Sequence, residues 1–168
     1  GIKDLTAAAK DATNAENKEI SSMNVVGYAS PDGPLELNKN LAERRLNVTT
    51  NFMNTEFRKM KTKVEIGKDF TPEDWDGFRK LMEQSNIQDK ELILRVLSMY
   101  SDPEQREREI KNISSAYTVI ADQILPQLRR SRLQLVVDVI GKSDEEIASL
   151  ARTDARQLSV DELLYAAT

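Results

Sequence analysis

Residues 19–57 limit the possible folds more than any other stretch. Their hydrophobic period changes once, from strand to helix, across a four-residue corner. EISSMNVVGYA gathers β-branched residues toward its end and reads as a strand. SPDG follows, with Pro31, Asp32 and Gly33 fitting positions i+1 to i+3 of a type I turn. Beyond the corner, Leu41, Arg45, Val48 and Phe52 recur at spacings of four, three and four. That is one face of a helix, expected over 39–57 with Asn38 as its N-cap.

The rest of the chain repeats the two periods. The first dozen residues predict a short polar helix carrying Ala7, Ala8, Ala9 and Ala12. KTKVEIG alternates, with Thr62, Val64 and Ile66 on one side, as a half-buried strand does. Thr71 is a candidate cap and Pro72 suits the first position of a helix whose Trp75, Phe78 and Met82 share a face. In DKELILRVLSMY, Leu92, Val96 and Tyr100 form a stripe with Ile93 and Leu97 beside it, and Asp102-Pro103 opens another helix. Tyr117, Ile120, Ile124 and Leu128 keep helical spacing. RLQLVVDVIG is the clearest strand, with Leu133, Leu135, Val137 and Val139 on one face. Two capping boxes close the chain, Ser143 with Glu146 and Ser159 with Glu162. The order is helix, strand, helix, strand, several helices, strand, two helices. This predicts a mixed α/β domain with a natural helical insertion at 71–114.

Composition narrows the chemistry. The 168 residues hold no histidine and no cysteine, so the commonest general base, a thiol nucleophile and zinc–cysteine ligation are all missing. No acid–base or nucleophile set can be assembled, and a non-enzymatic chain without catalytic residues, metal or cofactor is expected. The net charge of -4 gives no overall basic surplus, so no nucleic-acid partner is expected. No apolar run nears the ~20 residues of a membrane span. Gly1 stands where an initiator Met is usual, and SVDELLYAAT carries no stop signal, so a longer parent protein is expected.

Charged clusters have ordinary readings. Glu73, Asp74 and Asp76 complement a helix start. Glu104, Glu107 and Glu109 interleave with Arg106, Arg108 and Lys111, as on a solvated helix laced with ion pairs. LRRSR, 128–132, is a local basic patch. Arg45 is the oddity, a guanidinium in an apolar row, while Arg44 points about 100° away toward solvent. Arg45 either snorkels to water, pairs with Asp32 or another carboxylate, or lines a small cleft beside the turn and holds a ligand carboxylate.

GYASPDGPLELNKNLAERR resembles the OmpA-like peptidoglycan-associated domain, also found in MotB and the Pal lipoproteins. Gly27, Tyr28, Gly33, Asn38, Leu41 and Arg45 match the family pattern, with Ala42 where Ser is usual. RSRLQLVV resembles its closing strand, with Arg132 on the family's last Arg. GYASPDG, DWDGFRKL, ILPQLRRSR and LSVDELLYAAT together look like a Bacteroidetes-type variant with a helical insertion. The resemblance implies an α+β sandwich: a small mixed βαβαβ sheet with helices mainly on one face. It divides the chain into 1–70 with 115–142, the insertion 71–114, and C-terminal helices 143–168 leading toward tetratricopeptide-like repeats. It implies a periplasmic tether between outer membrane and cell wall, with other envelope proteins as further partners. In the family an Asp and an Arg grip diaminopimelate in the peptide stem. Here Arg45 would take the carboxylate, Asn38 would shape the helix start, Ser30 stands at the Asp position, Asp32 is the nearest replacement, and Arg132 lies by the cleft. The Ser30 replacement also opens a second reading, a scaffold that has lost the ligand and recruits proteins.

Overall fold

A computed structural model describes residues 1–167, with Ser114 described only by its place in a helix. The elements run α1 (Ile2–Asn14), β1 (Lys18–Tyr28), α2 (Leu35–Lys59), β2 (Ile66–Thr71), α3 (Trp75–Gln84), α4 (Lys90–Met99), α5 (Pro103–Asn112), α6 (Ser114–Gln123), α7 (Leu125–Leu128), β3 (Ser131–Val139), α8 (Asp144–Thr153) and α9 (Val160–Ala166). The sheet has the order β2-β1-β3, with β1 parallel to β2 and antiparallel to β3. This is the α+β architecture expected, with a small mixed sheet. No helix among the described residues is long and apolar enough to cross a membrane.

The helices α1 and α2 share one face of the sheet. Ala9 of α1, Met23 and Val25 of β1, and Leu46, Met53 and Phe57 of α2 form one buried cluster, joined by Leu133 and Leu135 of β3. Burying each of the larger side chains stabilises by about 1.5–3 kcal/mol. Gly27 lets the layers approach: a Cβ there would run into the Ala42 carbonyl and the Leu46 amide nitrogen of α2. The small Ala42 thus sits over Gly27, and the helix crosses the end of β1 at backbone distance.

That crossing rotates α2 from its expected orientation. Its buried row is Asn38, Ala42, Leu46, Thr50, Met53 and Phe57. The row Leu41, Arg45, Val48 and Phe52 lies at the rim instead, with Val48 63% and Phe52 42% exposed. Two rows of suitable spacing lie side by side, and the close approach to Gly27, with the packing of Leu46, Met53 and Phe57 on β1, chooses between them.

Helix ends account for the other shifts. Pro34 is the N-cap of α2, four residues before the expected cap Asn38. At the far end Lys61 N donates to Arg58 O and Thr62 N to Phe57 O, a Schellman pair, with Lys61 at φ 56°. Residues 61 and 62 therefore close the helix, and β2 begins only at Ile66, opposite Met23, not within 61–65. Thr71 is consumed as the last residue of β2, so Asp74 caps α3 by accepting from Gly77 N.

A second core lies among α3–α7. Phe78, Met82, Ile93, Val96, Leu97 and Ile110 pack with Ala116, Ile120, Ile124, Leu125 and Leu128. The helices of 71–114 are thus completed by α6 and α7. In α4 the buried stripe is Ile93, Val96 and Leu97, while Leu92 is exposed. Trp75 meets Phe78 edge-to-face at 5.7 Å, and the Arg106 guanidinium lies 4.8 Å over the Trp75 ring. Both C-terminal capping boxes form as expected, and Lys142 bridges to Glu162 at 3.0 Å, tying the approach to α8 to α9.

Candidate functional site: an arginine-lined cleft beside the corner

The corner between β1 and α2 is not a type I turn. Asp32 N donates to Ser30 O at 2.8 Å across Pro31, a three-residue turn. Gly33, which a type I turn would bond back to Ser30, takes φ +86°, a conformation that favours glycine, and donates instead to Glu107 Oε1 at 2.7 Å. Asn38, buried in the first turns of α2, sends its amide to the carbonyls of Asp32 and Gly33, both at 3.3 Å. It donates toward the turn where an N-cap would accept from the helix, so it holds the corner without capping α2.

Asp32 points away from α2 and into the helical lobe. Its Oδ1 accepts from Tyr117 OH at 2.9 Å and pairs with Lys111 Nζ at 3.2 Å, while Lys111 also meets Glu107 at 2.6 Å. Burial pushes the Asp32 carboxyl up, but the Tyr117 and Lys111 hydrogen bonds and the Lys111 charge outweigh it and hold the group below its ordinary value. Glu107 first, and then Asp32, hold the Lys111 proton well above the usual range against the opposing effect of burial. Burial and its bond to Asp32 push Tyr117 up. Glu107 and Lys111, expected on a merely solvated helix, are thus half of a latch that joins α5 and α6 to the corner.

Beside the corner, α2 and the start of β3 enclose an open cleft of about 470 Å³. It is lined by Leu41, Arg44, Arg45, Val48, Thr49, Arg129, Arg130 and Ser131. Arg45 donates from Nη1 to Tyr28 O at 3.0 Å. Burial, and then the neighbouring Arg129 charge, work against its protonated form. Arg129 donates from Nε to Ser30 Oγ at 3.2 Å. Arg130 stacks 4.6 Å over the Tyr28 ring and meets buried Asp74 at 2.8 Å, as an ion pair and not an aligned hydrogen bond. Thr49 Oγ1 donates to Ser131 Oγ at 2.8 Å and Ser131 Oγ to Arg45 O at 3.3 Å, fixing the floor. Four arginines line the cleft, the Arg129 charge bears on Arg45, and no carboxylate lines it among the described residues. Of these four, Arg130 alone has an acidic partner among the described residues. Such a site can take a carboxylate or phosphate through planar paired donors.

Of the five residues singled out in the sequence, Arg45 alone lines this cleft. Ser30 is buried behind it as the acceptor for Arg129. Asp32 is committed to Lys111 and Tyr117, and Asn38 to the turn carbonyls. Arg132 stands opposite Val26, one residue out of step with Gly27, so it lies exposed on the sheet face away from α2. Arg129 and Arg130 take the place expected of Arg132, and the basic run LRRSR was their only signal. Comparison with known protein families, curated proteins and solved structures yields no match.

Proposed function

We propose that the chain is a non-catalytic OmpA-like domain of the bacterial cell envelope, on the periplasmic side, linking the outer membrane to peptidoglycan. Its handle on the wall is a carboxylate of the peptide stem, received by Arg45 with Arg44 and Arg129 beside it. One observation carries this reading: four arginines line a cleft that no carboxylate among the described residues lines. The same observation alters the expected chemistry. With Ser30 neutral and Asp32 held by Lys111, no carboxylate among the described residues lining the cleft is left for the ammonium of diaminopimelate. Recognition rests on anionic groups alone.

Calorimetric titration with a diaminopimelate-containing stem peptide tests the proposal. Saturable binding that disappears in Arg45→Ala supports it, and absence of binding at millimolar peptide rules it out. The commitment of Asp32 favours a second reading, a scaffold of the same fold that has lost the stem and recruits envelope proteins. That reading requires Arg45→Ala to leave partner recruitment unchanged.

A further inference from the structure

The row that the sequence reads as one apolar helix face, Leu41, Arg45, Val48 and Phe52, lies on the outer side of α2, and Leu37 extends it. Leu37 is 53% exposed, Val48 63% and Phe52 42%, with half-buried Leu41 between them. At 100° per residue these four fall in one sector, and Arg44 and Arg45 lie at its edges. The sector extends about 22 Å along the helix from Leu37 to Phe52. Glu36 and Glu43 fall on the far side, and Glu56, the acid nearest the sector, is held by Lys59 at 2.6 Å. Arg129 extends the positive charge from the neighbouring loop, while Arg130 is paired with Asp74.

From this we infer that the outer face of α2 docks on an anionic phospholipid surface. The arginines would meet lipid phosphates while Leu37, Val48 and Phe52 enter the headgroup boundary. Charge complementarity favours this occupant: apolar side chains interleave with arginines on one helix face, and that sector holds no acid. Arginine stems lie along an apolar layer while their heads stay with the phosphates. Each such cation adds appreciably to attraction by an anionic surface, and salt screens it. The inference goes beyond peptide-stem binding, because it depends on Leu37 and Phe52, which lie outside the cleft.

Vesicle flotation tests it, with phosphatidylcholine alone against equal parts phosphatidylcholine and phosphatidylglycerol. The full chain is expected to float with the mixed vesicles, and to be released at high salt or when phosphatidylglycerol is omitted. Leu37→Ser with Phe52→Ser should weaken vesicle binding by roughly tenfold while stem-peptide titration is unchanged. Arg44→Gln should weaken it by roughly fivefold. Equal flotation with both vesicle types, no flotation, or undiminished flotation of the Leu37/Phe52 variant would overturn the inference. So would binding of inorganic phosphate or an acidic helical peptide without vesicle binding. Loss of stem binding alone would count only against the proposed wall contact.

Discussion

At the residue scale, the fate of Asp32 decides what the corner can do. The sequence places it beside Arg45 as the nearest substitute carboxylate. Its partners, Lys111 and Tyr117, lie far along the chain, and no local pattern announces them. The consequence is acid-linked stability. The folded carboxyl is held below its ordinary value, so its contribution is present above about pH 4 and fades as pH falls through the depressed folded value. Asp32→Asn should lower stability near neutral pH and flatten the loss on acidification, as read from denaturant melts at about pH 7 and about pH 3. A slope identical to that of the parent chain would contradict the latch. Thr50 gives a prediction of opposite sign. Its Oγ1 is buried in α2 with no hydrogen-bond partner among the described residues. Thr50→Val keeps the shape and removes the orphaned hydroxyl, so a gain of about 1 kcal/mol is expected in chemical denaturation.

At the element scale, α2 joins the sheet core, the corner and the cleft. Its termini follow local chemistry that the sequence only partly displays. Both C-terminal capping boxes and the Asp102-Pro103 helix start are legible because each is set within four residues. The true start of α2 at Leu35 is less legible, since Asn38 has the identity of a cap and a different task. The C-terminal Schellman pair hides behind Lys61, which holds a positive φ at some cost. Lys61→Gly should therefore stabilise by about 0.5–1 kcal/mol in thermal or denaturant unfolding. Gly27→Ala should do the reverse. Its methyl group would meet the α2 backbone, and a loss of about 3 kcal/mol or more is expected because backbone cannot yield as a side chain does. A neutral outcome there would show that α2 does not cross β1 at backbone distance.

At the scale of the whole molecule, two cores meet at one functional corner. The sheet core was legible in part, from the alternation that puts Leu133 and Leu135 of β3 on one face and from the β-branched end of β1. Periodicity could not choose between the two adjacent rows of α2, because both have helical spacing and the choice rests on Gly27 under Ala42 and on the packing of Leu46, Met53 and Phe57 on β1. Nor could it reveal that α5 latches the turn, since Glu107 and Lys111 also make an ordinary i,i+4 pair. The candidate site was legible only at Arg45. Arg44, Arg129 and Arg130 join it through tertiary packing. Together these contacts turn the acidic half of the corner inward and leave the arginines facing out.

The central claim, that an anion-only cleft reads stem carboxylates, is tested most directly by one pair of calorimetric titrations. One ligand is the stem peptide with free carboxylates, and the other is the same peptide with every carboxylate amidated. Binding of the free acid with loss of the amidated form is the predicted result. Equal affinity for the two peptides would contradict the account.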